Sequence, residues 1–222
     1  SMDPLFVNYE QFFTDKIYDQ FFDRMGQVDT VLDIGANVGL FTELAIRKGA
    51  KKIIAAEINP NAISTFNEIQ KGKREGTEVY LRAEAISKEK GTLTIYNNPE
   101  NSLVGSIFPQ HTDGLSESYE VASIGIDELF GKAKLQFQRA SLLKMDVEGS
   151  EYDIFDGFSI ENLKKVDNII MEFHDNFGGR LRDSVTKKLE EAGFDYEIYQ
   201  DNCQDFASEW EERGTIFATK SK

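Results

Sequence analysis

Short apolar runs alternate along the chain with longer stretches in which apolar side chains recur every three or four positions. Val31-Leu32-Asp33-Ile34 reads as a buried strand, and the residues from Leu40 through Lys48 as the helix that follows it. Lys52 to Glu57 predicts a second strand. Asn59-Pro60 then opens another helix, because asparagine accepts the free amides of a helix start and proline needs no donor there. Glu78 to Ala83, Ser141 to Met145 and Asn168 to Glu172 repeat the strand pattern, with helices from Glu151 and from about Arg182 to Ala192. Phe194 to Tyr199 and Thr215 to Thr219 look like a closing pair of strands. This alternation predicts an α/β fold with a mostly parallel sheet and helices on both faces.

Two segments depart from that rhythm. From Tyr9 to Met25, Phe12, Phe13, Ile17, Tyr18, Phe21 and Phe22 fall on one helical face that closes near Gly26. Core packing is the plainer reading of this aromatic face; covering a ligand cleft is the other. Residues 1–29 are therefore expected to form a helical segment packed on a single domain spanning 30–222. At about 91–120, Thr92-Leu93-Thr94-Ile95-Tyr96 alternates like an exposed strand and is followed by residues rich in Asn, Ser, Gly and Pro. That pattern predicts a loop or hairpin insert, either functional or packed beside the sheet edge.

A length of 222 residues favours one domain, and a hydrophobic fraction of 40% suffices for its core. Apolar runs stay well short of the roughly 20 residues a bilayer span needs, and no stretch has the form of a secretory leader. A cytoplasmic location and no membrane partner are the corresponding expectations. The net charge of −14 opposes the counterion-release attraction that drives nucleic-acid binding, so no nucleic-acid partner is expected. Cys203, the single cysteine, can form no internal disulfide.

The strongest chemical signal is Val31-Leu32-Asp33-Ile34-Gly35-Ala36-Asn37-Val38-Gly39-Leu40-Phe41-Thr42, a strand, glycine turn and helix in the order that brings backbone close to a ligand. Glu57, at the end of the second strand, can accept hydrogen bonds from ribose hydroxyls. The dinucleotide fingerprint requires a middle glycine where this chain has Asn37. Asp33 before the turn would repel a phosphate and suit the cationic end of S-adenosylmethionine. The charges therefore favour that cofactor over a nicotinamide dinucleotide, whose oxidoreductase chemistry is the alternative.

The glycine turn, the acidic second-strand end and Leu143-Lys144-Met145-Asp146-Val147-Glu148-Gly149-Ser150-Glu151 together resemble the FkbM family of methyltransferases. The resemblance runs from about Thr30 to Ala192. It implies a Rossmann-like class I methyltransferase fold, a seven-strand sheet, S-adenosylmethionine as cofactor, and methyl transfer to a hydroxyl oxygen. Carried onto this chain, it places Asp33, Gly35, Ala36, Asn37 and Gly39 at the methionine end of the cofactor. It places Glu57 and Ile58 at the ribose and Ala85-Ile86 at the adenine. Glu84 departs from the uncharged residue usual at that position.

Asp146, Glu148 and Glu151 follow the fourth of these strands, and Glu172, Phe173 and His174 end the fifth. Neighbouring strand ends would aim these carboxylates and an imidazole at one rim, beside the switch point where α/β sheets bind ligands. A hydroxyl acceptor benefits from a base, and His174, with an unperturbed pKa of about 6.5, is the first candidate. Asp146 or Glu172 would orient it or replace it, and Asp146 also counts among the cofactor contacts. Cofactor binding or helix capping alone is the plainer alternative for this cluster. No spacing singles out a metal site. Asn97-Asn98-Pro99-Glu100 lacks the second proline and the aromatic of the amino-methylating Asn-Pro-Pro-aromatic signature, and reads as a turn. The expected acceptor is a small molecule or a glycan. A cofactor-binding module without catalysis remains the non-enzymatic alternative, and the pattern leaves oligomeric state open.

Overall fold

β1 (Thr30–Ile34), β2 (Lys52–Ala56) and β8 (Ala140–Met145) are apolar almost without interruption, the composition of strands buried on both faces. They form the centre of the fold in a computed structural model that describes residues 17–71, 76–98, 101–106, 117–147, 149–175, 182–200 and 212–221. With β3 (Glu78–Arg82), β9 (Val166–Asp175), β10 (Phe194–Gln200) and β11 (Glu212–Lys220) they build a seven-stranded sheet of order β10-β11-β9-β8-β1-β2-β3. β11 runs antiparallel to both neighbours, and the other pairings are parallel. The expected mostly parallel seven-strand sheet is present. Strand order reverses between β1 and β8, which places the topological switch point there.

Alternation along the strands divides the core between two faces. Leu32, Ile34, Ile54, Leu143, Met145, Ile169 and Met171 pack with α4 (Glu151–Asp156) and α5 (Asp183–Glu191) through Ile154, Phe155, Val185 and Leu189. Val31, Ile53, Leu142, Ile170 and Phe217 pack on the other side with α1 (Asp19–Phe22) and α2 (Leu40–Arg47) through Phe21, Phe22, Phe41 and Leu44. Of the aromatic face expected from Tyr9 to Met25, Phe21 and Phe22 are core residues and Ile17 is exposed; Phe12 and Phe13 lie outside the described residues. Among the described residues, no helix is long and apolar enough to cross a membrane.

The described residues of the segment around 91–120 lie in strands. β4 (Ala85–Ser87), β5 (Gly91–Asn98), β6 (Asn101–Ser106) and β7 (Glu117–Gly125) form a second sheet of order β4-β7-β5-β6. Asn98 pairs with Asn101 where β5 meets β6, and Pro99 and Glu100 of the Asn-Pro fragment lie outside the described residues. Ile86 and Ile124 join this sheet to the main core. A 3-10 turn (Ile126–Leu129) leads from it towards β8.

α3 (Pro60–Gln70) begins as expected, with the Asn59 side chain accepting from the amides of Asn61 at 2.9 Å and Ala62 at 3.4 Å. Asn59→Ala removes this buried cap. Thermal unfolding should show a loss of about 1 kcal/mol, or roughly 2–4 °C for a chain of this size; an unchanged midpoint would refute the capping role.

Candidate functional site

The turn after β1 depends on three left-handed residues, Gly35 at φ +75°, Asn37 at +49° and Gly39 at +89°. A Cβ at Gly35 would lie 1.8 Å from the Asp146 carbonyl oxygen, so the turn and the end of β8 are in backbone contact. A Cβ at Gly39 would press into the Phe66 ring at 2.6 Å. Asparagine is among the few side chains that tolerate the left-handed region, which accounts for Asn37 between the glycines. The amides of Gly35 and Ala36 both donate to the Ala56 carbonyl at 3.0 Å, stitching the turn to the end of β2. Ala36 is buried against Ala55 and Phe66.

Glu57 stands immediately after β2 and is held by backbone. Its Oε2 accepts from the Asn37 amide at 2.8 Å, and its Oε1 from the amides of Ile58 at 2.8 Å and Asn59 at 2.7 Å. Burial pushes the Glu57 carboxyl above its ordinary value, against the opposing pull of these three amides and of Lys144. A carboxylate offers about four acceptor positions; three are engaged by described amides, leaving room for about one further donor without a shift of the 57–59 segment.

Registration across the strands assembles a polar row on the otherwise apolar α2 side of the sheet. Asp33 lies opposite Lys144, and Asp146 follows two residues after Lys144. On β9, Ile170 lies opposite Lys144 and Glu172 follows two residues later. Lys144, 4% exposed, donates to the Gly35 carbonyl at 2.8 Å and lies 3.3 Å from Asp146 Oδ2 and 3.8 Å from Asp33 Oδ1. Its burial disfavours the charge, but Asp146 and Asp33, helped by Glu172, outweigh this and hold the ammonium well above the ordinary lysine range. Asp33 exposes no surface; its Oδ2 accepts from the Thr42 hydroxyl at 2.7 Å, while its buried Oδ1 has no hydrogen bond among the described residues. Burial raises the Asp33 pKa, with Lys144 and Thr42 opposing and Asp146 adding to the rise. Asp33 is thus an enclosed carboxylate rather than an open one, and Lys144 becomes its neighbour only through the register of β1 on β8.

The remaining carboxylates divide. Glu151 turns inward, fully buried, and its Oε1 accepts from the amides of Val147 at 3.2 Å and Gly149 at 3.1 Å. It shapes the loop after β8 instead of facing the rim with Asp146 and Glu172. Gly149 takes the sharp turn at φ +100°. The backbone of His174 pairs with Arg213 near the end of β9; its side chain, like Glu148, lies outside the described residues. Ala85 and Ile86 are buried in β4, in register with Ser123 and Ile124. Tyr18, on the aromatic face before β1, adds to the site in a way that spacing alone does not show. Its ring meets Phe41 edge-on at 5.1 Å. Burial pushes its phenol far above the usual range; Lys144 opposes the rise, and Asp146, Glu172 and Asp33 add to it. The segment before β1 therefore brings a neutral hydroxyl into the field of the polar row.

The comparisons agree with this architecture. The N-methyltransferase NodS from Bradyrhizobium japonicum WM9 superposes with a TM-score of 0.53 at 14% identity, covering 96% of this chain and 98% of that one. Magnesium protoporphyrin IX methyltransferase from Synechocystis PCC 6803, solved with bound S-adenosylhomocysteine, gives 0.51 at 12% identity over 97% of this chain and 83% of that one. In sequence, Methyltransferase 1 of Beauveria bassiana (strain ARSEF 2860) is 28% identical over 204 residues, covering 84% of this chain and 79% of the relative. Methyltransferase sdnD of Sordaria araneosa is 27% identical over 214 residues, covering 84% and 81%. The model of the methyltransferase FkbM domain matches residues 33–196, from the carboxylate that opens the glycine turn to β10. With a seven-strand, mostly parallel sheet and this turn at its switch point, the chain belongs to the FkbM methyltransferase family.

Proposed function

We propose that the crevice between the ends of β1, β2, β8 and β9 binds S-adenosylmethionine and directs its methyl group to a hydroxyl oxygen of a small molecule or glycan. The observation that carries this reading is the grouping of carboxylates at the turn among the described residues: Asp33, Asp146 and Glu172 around Lys144, with Glu57 beside them. Carboxylates grouped there favour a cationic ligand and oppose a pyrophosphate. The polar atoms also fit the group. Asn37 Oδ1 is buried without a hydrogen bond among the described residues. Gly35, having no Cβ, lets the left-handed turn lie against the Asp146 carbonyl at the end of β8. Asn37, Gly39 and the start of α2 would hold the methionine end, Glu57 with Ile58 the ribose, and Ala85-Ile86 the adenine.

When bound, the cofactor supplies an electrophilic methyl group on a sulfonium. The chain's part is to align the acceptor, exclude water and accept the hydroxyl proton. His174 is assigned as the base on β9, with Asp146 or Glu172 orienting it or taking the proton in its place. Asp33 acts from below through Thr42 and Lys144. The net charge of −14 supports a small or neutral acceptor over a polyanion such as a nucleic acid.

Calorimetry should detect saturable binding of S-adenosylmethionine that NAD does not displace, weakened about tenfold by Glu57→Ala, the scale of a lost hydrogen bond to a charged group. Failure of the wild-type chain to bind would end this reading.

Because burial raises the Glu57 pKa, its carboxylate takes up a proton at a higher pH than an ordinary glutamate. Cofactor affinity should therefore fall on acidification before the usual carboxylate range is reached, and Glu57→Gln should flatten part of that dependence. A pH-independent wild-type Kd down to the ordinary glutamate value would contradict it.

Screening sugars and hydroxylated metabolites for S-adenosylhomocysteine release should identify an acceptor. With it, His174→Ala should lower kcat by about 10²–10⁴-fold and leave cofactor Kd nearly unchanged. A kcat near wild type would remove His174 as the base.

A further inference from the structure

A buried ammonium that only neutralised a buried carboxylate would need no contact with the glycine turn. Lys144 has one: its Nζ is closer to the Gly35 carbonyl, at 2.8 Å, than to either Asp146 or Asp33. It projects from β8 beneath the turn, with the Phe41 ring of α2 5.9 Å from the Nζ. The groups that face it are Asp33 from β1, the Gly35 carbonyl from the turn that follows, Asp146 just past the end of its own strand, Glu172 from β9, and Tyr18 from the segment before β1. Glu57, after β2, also feels its charge. The same Gly35 residue abuts the Asp146 carbonyl, so ammonium and backbone contacts join the turn to β8 at two points.

We propose that Lys144 is a positioning residue for the cofactor: its ammonium fixes the Gly35 carbonyl, and with it the left-handed turn from Gly35 to Gly39, in the binding shape. This inference rests on the reading of the crevice as an S-adenosylmethionine site. The pinned carbonyl orients the peptide that follows Gly35, and the same turn places the Asn37 amide on Glu57 at 2.8 Å. Lys144 thus acts on the ligand through the turn, and its loss should be felt as affinity even where the fold survives.

Removing Lys144 alone would strand Asp33, so the test compares Asp33→Asn with Asp33→Asn/Lys144→Met, in which no buried carboxylate is left facing a missing cation at that position. Asparagine retains an acceptor for the Thr42 hydroxyl, and methionine keeps the unbranched stem. S-adenosylmethionine is titrated into both by calorimetry, alongside thermal unfolding. The expected result is a Kd about tenfold weaker in the double variant, the scale of one charge-assisted hydrogen bond, with closely similar unfolding midpoints. Equal Kd values in the two variants would overturn the proposal, as would an affinity loss only in proportion to lost folded protein. A wild-type measurement covers the case in which the double variant does not fold. The side-chain ammonium resonance of Lys144 should be slow to exchange at neutral pH and should shift when the cofactor is added; a resonance that ignores saturating cofactor overturns the proposal equally. If the wild-type chain binds no cofactor, the proposed function fails and this inference with it. If the wild type binds and the two variants bind alike, only the role of Lys144 falls.

Discussion

Asp33 and Lys144 face each other across β1 and β8, at the point where strand order reverses, with almost no exposed surface between them. An isolated charge in the interior of a sheet is costly enough that the group normally neutralises instead. Here each charge is the other's neighbour by register. Thr42 donates to the carboxylate, and the Gly35 carbonyl and Asp146 receive the ammonium. The pair interrupts an apolar face continued by Val31, Leu142 and Ile170, which makes the switch point the polar part of that face. Removing Lys144 alone leaves the buried Asp33 carboxylate without its cation, whereas removing Asp33 leaves Lys144 with Asp146 and the Gly35 carbonyl.

From that pair outward, the rim is a sequence of backbone contacts. Gly35 admits the Asp146 carbonyl because it has no Cβ. Ala56 receives two amides of the turn, and Glu57 receives three more from residues 37, 58 and 59. The ends of β1, β2 and β8 are consequently tied to one another through backbone. Pre-organisation of this kind is what methyl transfer requires of a protein, since alignment and exclusion of water supply most of what the chain contributes.

The second sheet lies on the path from β3 to β8, where the chain crosses from one side of β1 to the other. Its attachment through Ile86 and Ile124 places β4 against the main core. The Thr92–Tyr96 alternation was legible as a strand, but its partners were not. β5 pairs with β7 over a stretch distant in sequence, and nothing in the local pattern of Asn and Ser residues announces that pairing.

Much of the molecule was written locally. The strand and helix periods, the Asn59-Pro60 helix start, the glycine turn and the Lys-Met-Asp-Val-Glu-Gly block each depend on residues a few positions apart, and together they determined the α/β sheet and the family. Which carboxylates serve the rim was decided only in three dimensions. Asp33 is enclosed, Glu151 turns inward to hold its own loop, and Asp146 and Glu172 share a face with Lys144. Tyr18, from a segment whose spacing announced only an aromatic face, enters the field of that row. The reason is physical: periodicity tells each side chain which face of its own element it occupies, whereas charge pairing and burial depend on which element lies alongside and in what register. That information resides in the packed sheet.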